Sequence, residues 1–250
     1  NGKSWKTCKF GLLIYIMLPP EIIFEDNHLI AINKRPGEIS QGDKTNDVPL
    51  VEIVKQYLKD KYQKPGNVYA GLIHRIDRPV SGVLIFSKTG KAGERMSKIV
   101  RDRAFKKTYW AIVKNKPEQE SATLVHHLLK NERMNKSFAY AEKKGDSKEA
   151  ILHYQLIASS DRYFLLEVDP QTGRHHQIRA QLATIGSPIK GDLKYGFDRS
   201  NKDGSVSLHA RQLEFIHPIK NEPVIITANP PVDPVWNAFM EILGQKNNPK

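Results

Sequence analysis

The chain has a single cysteine, Cys8, in 250 residues. One thiol excludes an intramolecular disulfide framework and a cysteine-rich zinc site, as is typical of proteins in a reducing cytoplasm. Long apolar runs are also missing. The segment that comes nearest to a membrane span, residues 10–18, is far shorter than the roughly 20 residues that a spanning helix needs. We therefore expect a cytoplasmic protein that does not bind a membrane.

The N-terminus resembles a signal peptide only in part. Three lysines precede the apolar segment, but Pro19-Pro20 follows it without a small-residue cleavage site. Met17 begins a sequence that is typical of a domain start. We expect residues 1–16 to be an extension outside the domain and residues 17–250 to form the domain itself.

Negative charge is scarce relative to positive charge. The chain carries 39 lysines and arginines against 27 acidic residues, a formal net charge of +12. This sign favours an anionic polymer as partner, although a soluble basic protein would have the same composition. Eight of the basic residues lie between Lys88 and Lys107, against only Glu94 and Asp102. They form either a solvated helix face or a surface that guides a phosphate backbone.

Hydrophobic periodicity predicts more strands than helices. Helical periods occur at residues 50–62, 89–103, 172–183 and 235–243. Strand patterns occur at residues 21–34 (a hairpin), 83–86, 108–113, 123–129, 149–168 (a hairpin), 208–215 and 224–228. Because many of these strands are joined by hairpins, the sequence predicts an α+β fold with a mixed, largely antiparallel sheet and flanking helices.

One stretch, residues 71–86, combines charged residues with a buried-strand pattern. His-Arg-Ile-Asp-Arg (74–78) is followed by Pro79 and Gly82, which keep the residues before the strand out of a helix. Asp77 should therefore lie on a loop between Arg75 and Arg78, where nearby positive charge favours its ionised form. An ionised, positioned carboxylate can act as a nucleophile or a base. Spacing alone leaves open a structural salt bridge that fixes the turn.

This stretch resembles a known signature. His-Arg-Ile-Asp-Arg-Pro-Val-Ser-Gly-Val-Leu (74–84) is similar to the motif of RluA-type RNA pseudouridine synthases. Three further blocks follow in the order of that family, at residues 107–111, 172–196 and 208–218. The resemblance spans residues 71–218 and is specific, because four separate blocks agree in order.

The resemblance implies a catalytic domain of two half-domains with a central cleft. Because Met17 begins this domain almost directly, we expect no S4-type domain before it. The resemblance also implies isomerisation of uridine to pseudouridine in structured rRNA or tRNA, by a monomer that needs no cofactor and no metal. The catalytic residues would be Asp77 as nucleophile, Tyr109 as stacking platform and Arg179 as partner of the carboxylate. Further residues predicted to bind the substrate are His74, Arg75, Arg174 and Leu208. The alternative is a noncatalytic basic RNA-binding protein that keeps the fold, and the presence of all three catalytic residues favours the enzyme.

Three positions depart from the family pattern. Val80 stands where threonine is usual, His175 where threonine or serine is common, and Gln181 where histidine is common. We expect the last two to alter RNA contacts rather than the reaction. The adjacent pairs His126-His127 and His175-His176 should not chelate a metal, because neighbours on a strand or helix point in different directions and zinc needs three or four convergent ligands.

Overall fold

Eleven strands form one mixed sheet in the computed structural model, which describes residues 19–42 and 47–247. The predicted N-terminal extension, residues 1–16, lies outside the described residues. The strands are β1 Ile22–Glu25, β2 Leu29–Lys34, β3 Gly71–Leu72, β4 Ser81–Ser87, β5 Lys106–Val113, β6 Ser121–Asn131, β7 Lys136–Tyr140, β8 Lys148–Ser159, β9 Phe164–Pro170, β10 Leu208–Ile216 and β11 Pro223–Thr227. Their order in the sheet is β1-β2-β4-β10-β5-β9-β8-β6-β7, with β3 paired to β4 and β11 to β10.

All strand pairs are antiparallel except β4 with β10. Four helices accompany the sheet in the part of the chain that is described: α1 Leu50–Lys61, α2 Gly90–Arg101, α3 Gln177–Thr184 and α4 Pro234–Asn247. None of the described helices is long and apolar enough to cross a membrane. The predicted α+β class with a largely antiparallel sheet is therefore confirmed.

The helices cover both faces of the sheet. Alternate residues of β4 point to opposite faces, so Leu84 and Phe86 pack with α1 and α3, whereas Val83 and Ile85 pack with α2. A third apolar cluster places α4 over β5 and β9. The all-buried pattern of β4 explains why its sequence is an unbroken apolar run rather than an alternating one.

Two predicted boundaries are wrong. The strand predicted at residues 123–129 is part of the longer β6, which begins at Ser121 and ends at Asn131 before the chain turns into β7. The helix predicted from residue 172 begins only at Gln177, because Thr172 and Gln177 bond to each other through their side chains at 2.8 Å and hold a turn between them. His176, the last residue of that turn, has a left-handed backbone with φ of 53°.

The parallel pair β4–β10 brings the Asp77 loop to β5. Gly82 at the start of β4 lies opposite Ala210 of β10, and Ala210 in turn lies opposite Tyr109 of β5. A Cβ on Gly82 would stand 2.3 Å from the Ala210 carbonyl oxygen, and the φ of 116° at Gly82 is one that glycine adopts readily. Only glycine therefore allows the loop before β4 to approach β10 and β5 this closely.

Candidate active site

A cleft of about 1200 Å³ opens beside the loop that precedes β4. Its walls come from this loop, the end of α2, the start of β5 and the turn before α3. The cleft brings together all seven residues that the sequence singled out: Asp77, Tyr109, Arg179, His74, Arg75, Arg174 and Leu208. Residues that are up to 134 positions apart in the chain thus share one concave surface, from His74 to Leu208.

The centre of the cleft is an ion pair between Asp77 and Arg179. Arg179 Nη1 donates to Asp77 Oδ2 at 3.0 Å. The rest of the guanidinium binds the buried Asp192 in a bidentate manner, with Nε and Nη2 at 2.6 and 2.8 Å from the two carboxylate oxygens. Burial alone would lower the pKa of Arg179, but the carboxylates of Asp192 and Asp77 outweigh burial and raise it. Asp192 therefore fixes the direction in which Arg179 meets Asp77.

The carboxylate of Asp77 is only half bound. Among the described residues, none donates a hydrogen bond to its second oxygen, Oδ1. The side chain remains 30% exposed in the cleft, whereas that of Arg179 is 5% exposed. A carboxylate that is held at one oxygen and open at the other can reach a reactant.

Tyr109 contributes a buried aromatic ring to the same cleft. It lies at the border of the apolar cluster beneath α1 and α3, while its neighbour Trp110 packs under α4 on the other face. The two neighbouring aromatic rings therefore lie on opposite faces of β5, and only Tyr109 lines the cleft. Burial, with a smaller contribution from the charge of Asp77, raises the pKa of Tyr109, so its hydroxyl keeps its proton at neutral pH.

Lys34 is a site residue that sequence reasoning missed. Its side chain is fully buried at the end of β2, and Nζ donates to the carbonyl oxygens of Arg35, Arg78 and Val80 at 3.0, 3.0 and 2.7 Å. Burial lowers the pKa of Lys34 to about 7, while three carbonyl acceptors match the three N–H bonds of an ammonium group and favour the charged form. Since two of these carbonyls flank Pro79, Lys34 fixes the Asp77 loop from behind.

The predicted substrate-binding residues differ in how they meet the cleft. Arg75 is exposed and has no hydrogen-bond or ion-pair partner among the described residues. Arg174 is also exposed, and its Nε donates to the Glu149 carbonyl at 2.9 Å. Leu208 is 4% exposed and forms part of the floor. His74 has both ring nitrogens buried without a partner, and burial followed by the charge of Lys107 lowers its pKa to about 3, so it presents a neutral ring edge.

The predicted effect of Gln181 on RNA contacts is wrong. Gln181 is fully buried, and its amide nitrogen lies 3.2 and 3.1 Å from the carbonyl oxygens of Leu124 and Ala150 and 3.1 Å from His126 Nδ1. It joins α3 to β6 and β8 and cannot touch a ligand in the cleft. Glutamine in place of the usual histidine at this position therefore affects how α3 packs on the sheet.

The adjacent histidines before α3 also differ from expectation. Because His176 has a left-handed backbone and the helix has not yet begun, the rings of His175 and His176 stack at 3.8 Å instead of diverging. Nε2 of His176 lies 3.5 Å from Asp77 Oδ2. Among the described residues, no group of three or more histidine, cysteine, aspartate or glutamate side chains converges in a way that would hold a metal ion.

Two basic walls line the cleft that contains Asp77. The α2 wall comprises Arg101, Arg103, Lys106 and Lys107, and the hairpin wall comprises Lys130, Arg174 and Lys194. Positive charge on both sides of a cleft focuses the field and attracts polyanions. Of the eight basic residues between Lys88 and Lys107, the last four line the cleft.

Comparisons with known proteins agree with this geometry. A family model described as RNA pseudouridylate synthase matches residues 28–184. The tRNA pseudouridine synthase C of Vibrio parahaemolyticus is 30% identical over 86% of this chain and 92% of its own length. The ribosomal large subunit pseudouridine synthase D of Zymomonas mobilis is 31% identical over 86% of this chain and 71% of its own length.

The fold has relatives among solved structures. Human RNA pseudouridylate synthase domain containing 4 superimposes with a TM-score of 0.73, at 21% identity, over 90% of this chain and 93% of that chain. At this identity the likeness concerns the fold alone, and it agrees with the mixed sheet described above. Together with the family match, which covers more than half of the sequence, it leads to one conclusion: the chain belongs to the RNA pseudouridylate synthase family.

Proposed function

We propose that this protein isomerises uridine to pseudouridine in a structured RNA, with Asp77 as the nucleophile. The observation that carries the proposal is the half-bound carboxylate of Asp77. Arg179 holds Oδ2 at 3.0 Å, while Oδ1 has no partner among the described residues and faces a cleft with two basic walls. A carboxylate in this state is oriented and accessible, as covalent catalysis requires.

The reaction itself rearranges one nucleoside. The N1–C1′ bond of uridine breaks, the base turns, and C5 becomes joined to C1′. The proton that C5 loses passes to solvent and N1 gains one, so atoms balance without an oxidant, a reductant or a cosubstrate. The protein must therefore supply a carboxylate, a surface that holds the loosened base, and a fixed geometry throughout.

The remaining residues suit these tasks. Tyr109 offers a ring face and a protonated hydroxyl beside Asp77, which supports a role in stacking the unpaired base. A uridine within a helix must leave the stack, at a cost of a few kcal/mol. Arg75, exposed and unpartnered among the described residues, could occupy the vacated space and lower that cost. Leu208 and the edge of the His74 ring would complete the apolar part of the pocket.

The substrate we favour testing first is tRNA. The Vibrio relative, which matches along nearly its whole length, is named for tRNA, whereas the Zymomonas relative named for ribosomal RNA extends beyond the match. The residues of the site lie on the Asp77 loop, on β5, β10 and α3, and in the turn before α3. We propose that they act in a monomer with a single catalytic domain. We further propose that it acts in the cytoplasm and without a bound metal or cofactor.

A noncatalytic RNA-binding protein with the same fold is the second candidate. It would need the basic walls but would have no use for a carboxylate among them, since a negative charge weakens phosphate binding. The buried Asp192, whose oxygens hold Arg179 toward Asp77, is likewise superfluous for binding alone. These two carboxylates favour the enzyme.

The test is release of tritium from C5-labelled uridine in RNA. Wild-type protein is incubated with labelled tRNA and, separately, with labelled fragments of large-subunit rRNA, and Asp77→Asn is the matched control. We expect release from at least one class with the wild type and none with Asp77→Asn. Binding of both proteins to RNA without release from either would contradict the proposal and favour the noncatalytic candidate.

A further inference from the structure

His176 lies beside the nucleophile, yet the roles assigned so far do not use it. Its Nε2 is 3.5 Å from Asp77 Oδ2, the same oxygen that Arg179 binds, and its side chain is 7% exposed. The backbone of His176 is left-handed, with φ of 53°. A residue other than glycine in this conformation is uncommon and strained, and such strain clusters at functional sites. With this backbone conformation, the imidazole ring of His176 lies against Asp77.

The hydrogen bonds around Tyr195 determine which nitrogen of His176 carries the proton. The Tyr195 hydroxyl oxygen accepts from the backbone N–H of Ser137 at 2.9 Å and lies 3.0 Å from His176 Nδ1. Burial raises the pKa of Tyr195 to about 12, so the hydroxyl keeps its own proton. Since the Ser137 N–H can only donate, the tyrosine proton is left for Nδ1, which then acts as the acceptor.

These contacts favour a neutral His176 ring with its single proton on Nε2. Burial, reinforced by the positive charge of Arg179, lowers the pKa of His176 to about 2. The other neutral tautomer would place the Nε2 lone pair against the Asp77 carboxylate and leave the tyrosine proton without an acceptor. Both features would cost free energy in a buried site.

We propose that His176 is a positioning residue for Asp77, with its Nε2–H directed at Oδ2 by the Ser137–Tyr195 contact. Arg179 and His176 then meet the same carboxylate oxygen from two directions, which fixes the rotation of the carboxylate and keeps Oδ1 aimed into the cleft. This inference rests on the proposed function.

The proposal also ties the nucleophile to the β6–β7 hairpin. Ser137 is the second residue of β7, and its hydroxyl donates to the His175 carbonyl at 2.7 Å. His175 in turn stacks on His176. The strand that supplies the N–H for the Tyr195 contact thus also holds the neighbouring ring, so a displacement of β7 would alter the orientation of Asp77.

The first test measures the tautomer directly and does not depend on activity. Protein labelled with ¹⁵N-histidine is examined by NMR at neutral pH, and the His176 signals are assigned by their loss in His176→Asn. We expect a neutral ring that is protonated at Nε2. Tyr195→Phe keeps the ring under Arg179 but removes the hydroxyl. In this variant we expect the fraction of His176 rings protonated at Nε2 to fall. A ring protonated at Nδ1 in the wild type, or at both nitrogens, would overturn the proposal.

The second test separates positioning from binding and folding. Asparagine tolerates the left-handed backbone but is too short to reach Asp77, so His176→Asn should lower kcat about 10- to 100-fold with RNA affinity unchanged. His176→Gln, whose longer amide can donate, should recover part of the loss. His153→Asn, at an exposed histidine of β8, is the matched control and should behave as the wild type.

The outcomes distinguish this proposal from the proposed function. If the wild type itself shows no turnover on any RNA, the proposed function fails, and the proposal that depends on it fails with it, whatever the tautomer. If the wild type is active and His176→Asn turns over equally fast, only the role of His176 is overturned. If both variants at His176 lose melting temperature and turnover in proportion, the residue is merely structural, which also overturns the proposal.

Discussion

Two carboxylates in this molecule are held by positive side chains, and they differ in what is left open. Glu25, at the end of β1, has both oxygens bound: Oε1 accepts from Lys88 and Tyr62 at 2.8 and 2.6 Å, and Oε2 accepts from Lys61 and Tyr57 at 2.7 and 3.2 Å. Asp77 has one oxygen bound by Arg179, and no described residue donates to the other. Glu25 is 9% exposed and Asp77 is 30% exposed.

The comparison separates an ion cluster that stabilises the fold from one that presents a reactive group. Both carboxylates lie beside positively charged side chains, so a cationic partner alone does not identify the site. What distinguishes Asp77 is the oxygen to which no described residue donates, the cleft in front of it, and the buried Asp192. Asp192 engages Arg179 so that a single guanidinium nitrogen meets the Asp77 carboxylate. A carboxylate with charged neighbours is thus a weaker indicator of a functional site than a carboxylate with one oxygen left without a hydrogen-bond donor.

The largest effect that bears on this comparison should follow from changing Arg179. Lysine keeps the charge but cannot bind Asp192 with two nitrogens and Asp77 with a third, so Arg179→Lys should lower kcat about 100-fold or more. RNA affinity should change only a few-fold, because Arg179 is buried and does not face phosphates. Single-turnover kinetics and filter binding on one RNA measure the two quantities.

Arg179→Ala is a second variant, and it needs a stability control. It leaves the carboxylates of Asp77 and Asp192 near each other without a cation, which can cost about 3–5 kcal/mol of stability. Melting temperatures of both variants show whether the fold persists. If the affinity of Arg179→Lys falls while turnover at saturation stays at the wild-type level, Arg179 is a phosphate contact and the assignment is wrong.

Lys34 and Lys88 offer the next test, because both are buried lysines that donate to backbone carbonyls. Lys34→Met removes the donor to the carbonyls of Arg35, Arg78 and Val80. The Arg78 carbonyl still accepts from the backbone N–H of Gly37, but the buried Val80 carbonyl in the Asp77 loop loses its donor, at a cost of about 1–3 kcal/mol. The variant should lower both the melting temperature and the turnover measured well below that temperature. Lys88→Met, in the Glu25 cluster, should lower only the melting temperature.

The outcome that would contradict this reading is turnover per folded molecule that falls equally in both lysine variants. The two buried lysines would then have the same effect on the site, and the specific link between Lys34 and the Asp77 loop would be lost.

A smaller effect is expected for the exposed charges beside the cleft. The double variant Lys98→Glu/Arg101→Glu on α2 should weaken RNA binding and reduce the slope of log affinity against log salt by about 2, since each lost phosphate contact lowers it by about 1. The same charge change at exposed lysines away from the cleft, Lys59→Glu/Lys202→Glu, is the matched control. Equal salt slopes for the two double variants would show that α2 does not contact the RNA backbone.

The smallest effect concerns stability in acid. Burial alone would raise the pKa of Glu25 and Asp26, but hydrogen bonds from Lys61 and Lys88 to Glu25, and from the backbone of His28 and Leu29 to Asp26, lower both to about 2. Because these folded-state pKa values lie below the ordinary 4.5 and 3.8, the stabilisation is complete above about pH 4.5 and is lost as the pH falls toward 2. Urea unfolding at several pH values should show a shallower loss for Glu25→Gln than for the wild type.

The sequence allowed much of the site to be predicted because its parts are local motifs. Asp77, Tyr109 and Arg179 each stand in a short block with a recognisable pattern, and the apolar run of β4 predicted the buried strand beside them. Family membership then implied that the three blocks converge, which the cleft confirms. The strands were predictable for the same reason, since apolar periodicity is local.

The residues that escaped prediction depend on contacts between distant segments. A lysine at the end of a strand is normally exposed, so nothing in the sequence near Lys34 indicates that it is buried against the Asp77 loop. The left-handed backbone of His176 follows from a turn held by side chains of Thr172 and Gln177, which periodicity cannot reveal. Both features bear on the position of Asp77, and they depend on contacts between residues that are distant in the chain.

The most direct test of the contrast between the two carboxylates is a crossed measurement on Asp77→Asn and Glu25→Gln. Each variant is assayed for tritium release from C5-labelled RNA and for melting temperature, with RNA affinity measured in parallel. We expect Asp77→Asn to abolish release while the melting temperature and the affinity stay near those of the wild type. Glu25→Gln should lower the melting temperature and keep release at temperatures where it is folded. Release of tritium by Asp77→Asn, or loss of release by folded Glu25→Gln, would contradict the assignment of Asp77 as the nucleophile and Glu25 as a structural group.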